Sequence, residues 1–154
     1  MDRRLTLTIR AALLAGLAGG AVDILAAFVI YRPVPPVQIL QTIAAGLRGG
    51  AAYEGGLASA ALGLACHFLI AILFAGLFVA AARPAPVLLR RPALSGLTFG
   101  VIVYGVMNAI VVPLSLVPEG PPPSAQVIGL GLLAHALFGL ALAFTATRAM
   151  RGIR

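Results

Sequence analysis

The run LASAALGLACHFLIAILFAGLFVAAA (57–82) decides the fold of this chain. It carries no formal charge and no proline, and it exceeds the ~20 residues an α-helix needs to cross the hydrocarbon of a bilayer. One strongly polar side chain, His67, interrupts it. Three further apolar runs are built the same way, at about 11–31, 93–117 and 124–147, and they hold Asp23, Asn108 and His135 respectively. The sequence therefore predicts an all-α integral membrane protein, a bundle of four transmembrane helices forming one domain over 1–154.

Composition excludes the soluble alternative. Hydrophobic residues make up 61% of the chain and charged residues 10%, against the roughly 25% charged that is usual for soluble domains. A core of this size has no room for so much apolar surface, so lipid is the natural solvent and the bilayer the first partner.

The net charge of +7 invites a nucleic-acid reading, but the basic residues are in the wrong places for it. All are arginines, and no basic stripe carries interleaved aromatics, so nucleic acid is not an expected partner. Arg3, Arg4, Arg10, Arg83, Arg90, Arg91, Arg148, Arg151 and Arg154 flank the apolar runs at the two termini and in the middle loop; only Arg32 and Arg48 fall at the opposite ends, with Glu54 and Glu119. That bias puts both termini and the middle loop in the cytoplasm. The first run is long, contains Asp23 and lacks a small-residue cleavage site, so it reads as a retained helix rather than a signal peptide. The single cysteine, Cys66, excludes an internal disulfide and makes no metal site alone.

Between the runs the punctuation is clear. Pro33, Pro35 and Pro36 end the first helix. The segment 37–48 reads as a short interfacial helix on the outer side, lying on the membrane surface or capping the bundle, with Val37, Leu40, Ala44 and Leu47 on one face and Gln38, Gln41, Thr42 and Arg48 making up much of the other. Gly49-Gly50 and Gly55-Gly56 bracket the turn back into the membrane. A proline- and arginine-rich loop at 83–92 and a stiff turn at 118–123 complete the connections. Small residues four apart (Ala12, Gly16, Gly20; Gly96, Gly100) predict close helix contacts, within one bundle or between two copies.

Helical rise sets the depth of the polar residues. Counted from the outer helix ends, Asp23, Asn108, His67 and His135 share a layer roughly 12–16 Å below the surface, at ~1.5 Å per residue. Asp23 lies on the glycine-rich face of its helix and is expected to face the bundle, because an exposed carboxylate at mid-membrane costs ~2.5–3.5 kcal/mol on insertion scales. Asn108 shares a face with Tyr104, and Pro113 leaves the Ala109 carbonyl without its helical donor, which predicts a bend. Each histidine has small residues four away (Gly63 and Ala71; Gly131 and Gly139), clearing space for a neighbouring helix or a flat ligand.

Several readings of this layer stay open. Its members bond one another and lock the bundle; or they bind or relay a proton or small polar solute, with Asp23 titrating, His67 and His135 as partners, and Asn108 with Tyr104 orienting them. A third reading is a bis-histidine haem b site with His67 and His135 as axial ligands. A fourth makes the protein a scaffold in a membrane complex or a homo-oligomer, docking through its arginine loop. No nucleophile elbow, P-loop, zinc-protease motif or CxxC is present, which argues against an enzyme, and no metal site is expected.

The stretches GGAVD (19–23), ILQTIAAGL (39–47), ALGLACH (61–67) and VPLS (112–115), with Tyr104, Met107-Asn108 and His135, resemble a group of small, uncharacterised bacterial four-helix membrane proteins. More distantly the chain is similar to the YagU-like inner-membrane proteins, which also place a histidine in helices two and four and a Pro-Leu near the end of helix three. The resemblance implies a multi-pass protein of the bacterial inner membrane, and for the YagU-like group a tie to acid tolerance.

Overall fold

The computed structural model describes residues 3–151, so Arg154 lies outside the described residues. Six α-helices follow in order: α1 (Arg3–Ile30), α2 (Pro36–Arg48), α3 (Gly56–Ala82), α4 (Val87–Arg90), α5 (Pro92–Val106) and α6 (Ala125–Met150). A 3₁₀ segment, Gly49–Glu54, links α2 to α3, and α5 runs on into a π-helical turn, Met107–Val111. Four of these helices (α1, α3, α5 with its π turn, and α6) are long and apolar enough to cross a membrane.

The distribution of side chains is inverted relative to a water-soluble bundle. Leucines such as Leu25, Leu69, Leu73, Leu77 and Leu133 stand on the outside, whereas the core is alanine-rich: Ala11, Ala15, Ala75, Ala143 and Ala146 are fully buried. No more than 28% of any spanning window is buried. Small residues inside let backbones meet, and large apolar ones outside suit lipid.

The helices form an arc. α1 packs on α3 and on α6, and α6 packs on α5, while α3 and α5, at the two ends of the arc, meet through side chains such as Phe78 and Phe99 rather than by close backbone packing. Glycines set the approaches. Gly16 lies against Ile72 and Gly20 against Phe68 and Ala71, closing α1 on α3. Gly96 and Gly100 meet the backbone of Gly139 and His135, closing α5 on α6. The small-residue faces thus serve contacts within the bundle.

The ends of the elements have local causes. Pro36 opens α2 at a position where its missing N–H is no loss, and Gly49, at φ 57°, ends it in a conformation that favours glycine. The Ser124 side chain accepts a hydrogen bond from the Val127 amide at 3.3 Å and caps α6.

Two helices differ from the sequence expectation. α1 begins at Arg3 rather than near residue 11, because no proline or glycine breaks the polar lead-in. The third span ends early: Pro113 cannot donate back to Ala109, and the Val112 amide reaches the Met107 carbonyl five residues back at 2.8 Å. The bend expected at Pro113 is this widened turn, followed by a break, so the helix does not continue to 117.

The segment 37–48 is helical as expected, but its buried face differs from the expected one. α2 packs along α3, where the absence of a side chain at Gly63 admits the Leu40 carbonyl. Its buried residues are Ile39, Gln41, Ala44 and Ala45, whereas Val37 and Leu47 of the expected apolar face are exposed. The Gln41 amide donates to the Gly56 carbonyl at 3.1 Å, so a polar side chain is buried where the sequence pattern placed it outside. The chain after α5 crosses to α2: the Leu116 amide donates to the Gly46 carbonyl at 3.0 Å. Held on both sides, α2 spans the gap between the ends of the arc.

Candidate functional site

α1, α3, α5 and α6, with α2 across the gap, surround a cavity of about 580 Å³, within the ~300–1,000 Å³ range of small-molecule sites. Asp23 (α1), His67 (α3), Tyr104 (α5) and His135 (α6) line it, with Asn108 from the π turn. Five side chains far apart in sequence therefore come to one place. Phe138 and Ala71 lie beneath them, and Ile30, Ile39, Ile70 and Met107 belong to its apolar wall. Tyr31, Gln38, Thr42, Tyr53 and Pro123 line the part nearest the arginine-poor end, and all of these are exposed. The cavity thus has a polar floor, apolar walls and an aromatic, polar mouth.

Beyond the floor the bundle is solid. Phe99 of α5 meets Phe74 and Phe78 of α3 edge-on, with ring centroids 6.5 and 5.2 Å apart. The core between there and the arginine-rich end is alanine, valine, leucine and phenylalanine, with Met150 at its limit.

Each floor residue has a defined partner. The His67 ring nitrogen Nε2 is 2.8 Å from the Gly20 carbonyl of α1; a carbonyl can only accept, so Nε2 carries the hydrogen and Nδ1 remains an acceptor in the neutral ring. His135 Nδ1 donates to the Gly131 carbonyl one turn back at 3.0 Å, leaving Nε2. The same Nδ1 is 3.6 Å from a carboxylate oxygen of Asp23, too long for a hydrogen bond but close enough for an ion pair when the imidazole is protonated. Asn108 donates from Nδ2 to the Tyr104 carbonyl at 2.9 Å.

Two sequence expectations change with these partners. The polar layer is not a mutual network, since both histidines and the asparagine bond backbone carbonyls. Nor does Asn108 bond a histidine; the expected hydrogen bond from Tyr104 is replaced by a ring contact, edge-on against His135 at 5.2 Å between centroids. The space beside each imidazole belongs to neighbouring elements: α2 backbone at Gly63, Tyr104 at Gly131, α5 backbone at Gly139. With those spaces filled and His67 Nε2 committed to Gly20, the site is not shaped for a haem plane between two imidazoles. Among the described residues, no group of three or more His, Cys, Asp or Glu is placed to hold a metal ion.

Sequence reasoning missed the mouth. Gln38, Thr42 and Tyr53 became site residues because α2 packs into the gap, and Tyr31 because it follows α1 at the same end. The Tyr53 hydroxyl donates to the Thr42 hydroxyl at 3.3 Å, and Thr42 to the Gln38 carbonyl at 3.0 Å. Burial pushes the Tyr31 phenol above its ordinary value, with smaller contributions from Tyr104 and Asp23. The signal in the sequence was the tyrosine count: there are three, and all three line this cavity.

Searches of protein-family models, curated proteins and solved structures find no match to this chain. Function must therefore be argued from the cavity itself.

Proposed function

We propose that this chain is a multi-pass protein of the bacterial inner membrane that binds a small solute in the cavity floored by Asp23, His67, Asn108, Tyr104 and His135. The carrying observation is the convergence of these side chains, from four spanning helices, on one cavity of about 580 Å³. The positive-inside rule turns the arginine-rich end to the cytoplasm, with both termini, so the cavity opens on the outer side. α2 is then an outer helix that closes the gap between α3 and α5. The bacterial inner-membrane assignment rests on the resemblance to small four-helix proteins of that membrane, and membership of that group or the YagU-like one is part of the proposal.

Binding is favoured over relay. A proton reaching Asp23 from the mouth meets the Phe74–Phe78–Phe99 cluster and an apolar core, with no side chain to carry it onward. Protonation instead sets the charge of the floor. The titratable groups lining the cavity are Asp23 and Tyr31 near α1, Tyr53 of the 3₁₀ link, His67 of α3, Tyr104 of α5 and His135 of α6, while α2 contributes none.

Tyrosine emission tests this reading, since every tyrosine borders the cavity. In proteoliposomes the parent should change emission reversibly between acidic and neutral buffer. Asp23→Asn, still folded by size-exclusion chromatography, should flatten that change. An Asp23→Asn profile identical to the parent would remove Asp23 from the mechanism.

A further inference from the structure

We infer that the solute is an organic monocation: an ammonium group on an apolar body about 10 Å long, bound with its charge at Asp23. The inference rests on the solute-binding reading above and adds the chemistry of the ligand. Three observations carry it.

The first is charge. Among the described residues, Asp23 is the only Asp, Glu, Lys or Arg that lines the cavity. The second is hydrogen-bond inventory. The Asp23 carboxylate, with four lone-pair sites, accepts no hydrogen bond from the described residues, and its ion-pair partner is His135 Nδ1 at 3.6 Å. Both histidines spend an N–H on backbone carbonyls, and Asn108 spends one on Tyr104. What they leave is mainly acceptor capacity, at His67 Nδ1, His135 Nε2 and the Asn108 carbonyl oxygen, beside two donors, the second Asn108 N–H and the Tyr104 hydroxyl. A floor rich in acceptors with one negative charge suits a ligand that brings several N–H donors and a positive charge, and repels an anion. With side-chain exposures of 20% and 21% for Asp23 and His135, the pair is half-sheltered, where a charge-assisted hydrogen bond keeps much of its strength.

The third observation is shape. From Asp23 to Tyr31 the α1 wall rises eight residues, ~12 Å, past Ala27 and Ile30, with Ile39 and Ile70 among the facing residues. That length of apolar wall suits a hydrocarbon or aryl body and offers nothing to a hydrated metal ion, which wants six or more oxygen ligands.

The test uses a matched series: 4-phenylbutylammonium, neutral 4-phenylbutanol and anionic 4-phenylbutanoate. Binding is read by tyrosine emission and by isothermal titration calorimetry on the detergent-purified full chain near neutral pH. The ammonium should bind at least about tenfold more tightly than the alcohol, the scale of one charge-assisted hydrogen bond, and the carboxylate least. Asp23→Asn should reduce the ammonium to the affinity of the alcohol, and Asp23→Glu should retain the preference, separating lost charge from lost fold. If the alcohol or the carboxylate binds as well as the ammonium, with binding still dependent on His135 or Tyr104, the cation assignment is overturned while the cavity remains a solute site. If no member binds to the folded parent, both the assignment and the solute-binding reading fail.

Discussion

Gly63→Ala is the sharpest perturbation of the architecture. A methyl group there would run into the Leu40 carbonyl of α2, lying 2.8 Å from its carbon and 3.1 Å from the Ala44 nitrogen. Ordinary contact needs about 3.5–4.0 Å between carbons, so α2 must retreat from α3 by roughly an ångström. Both contacts are backbone, and no side-chain rotation relieves them. Overpacking of this kind costs about 1–3 kcal/mol, or roughly 2–4 °C of thermal midpoint per kcal/mol for a chain of this size. Gly76→Ala is the matched control on the same helix, since a methyl there meets nothing within 4 Å; it should leave the midpoint within a degree or two of the parent. The assay is thermal denaturation in mild detergent, followed by size-exclusion chromatography, with tyrosine emission recorded on the same samples. Gly63→Ala should also shift that emission, because α2 carries Gln38 and Thr42 of the mouth and Thr42 holds Tyr53. Equal midpoints and equal spectra for the two variants would refute the packing of α2 into the gap.

Other expectations follow from single contacts. The Tyr31 phenol should ionise above its ordinary value of 10.0, seen as a late component of the absorbance titration near 295 nm that Tyr31→Phe removes. Because the folded state holds this proton more tightly than the unfolded chain, stability is unaffected below about pH 10 and falls as pH rises from there through the folded value; a flat stability profile across that range would contradict it. Phe99→Ala deletes both edge contacts that close the cavity floor against α3. It should cost about 3 kcal/mol and raise proton leakage in liposomes carrying a pH-sensitive dye, whereas parent-like stability and tightness would place the seal elsewhere. Protein purified after expression with ample haem should show no Soret band before or after dithionite. A band that sharpens on reduction would mean that His67 Nε2 leaves Gly20 for iron.

The sequence was most legible along the helix axis. Counting residues from the ends put Asp23, His67, Asn108 and His135 at one depth, because a spanning helix rises uniformly and its direction is fixed by the bilayer. It was less legible around the axis. Nothing in the spacing says that His67 chooses the Gly20 carbonyl or that His135 bonds within its own helix, since such choices depend on rotamers set by packing. The flanking glycines were recognised as clearances, but whether a helix or a ligand filled them needed the fold. Pro113 announced a break; the π turn that presents Asn108 is one of several ways to absorb a missing donor. The segment 36–48 misled for a physical reason. Its polar and apolar residues suit a surface helix, yet Gln41 is buried by donating to Gly56, an outcome that only the approach at Gly63 makes possible.

The central claim is a solvent-accessible cavity that reaches Asp23 from the arginine-poor end and stops there. Its most direct test replaces single residues by cysteine in a Cys66→Ser background and applies a membrane-impermeant thiol reagent to oriented vesicles, from each face in turn. Cysteine at Gln38 and at Asp23 should react from the face opposite the arginines, with 4-phenylbutylammonium protecting the Gln38 variant, and cysteine at Ala75 or Ala143 should react from neither. Labelling at Asp23 from the arginine-rich face, or no labelling there while Gln38 reacts, would contradict the account.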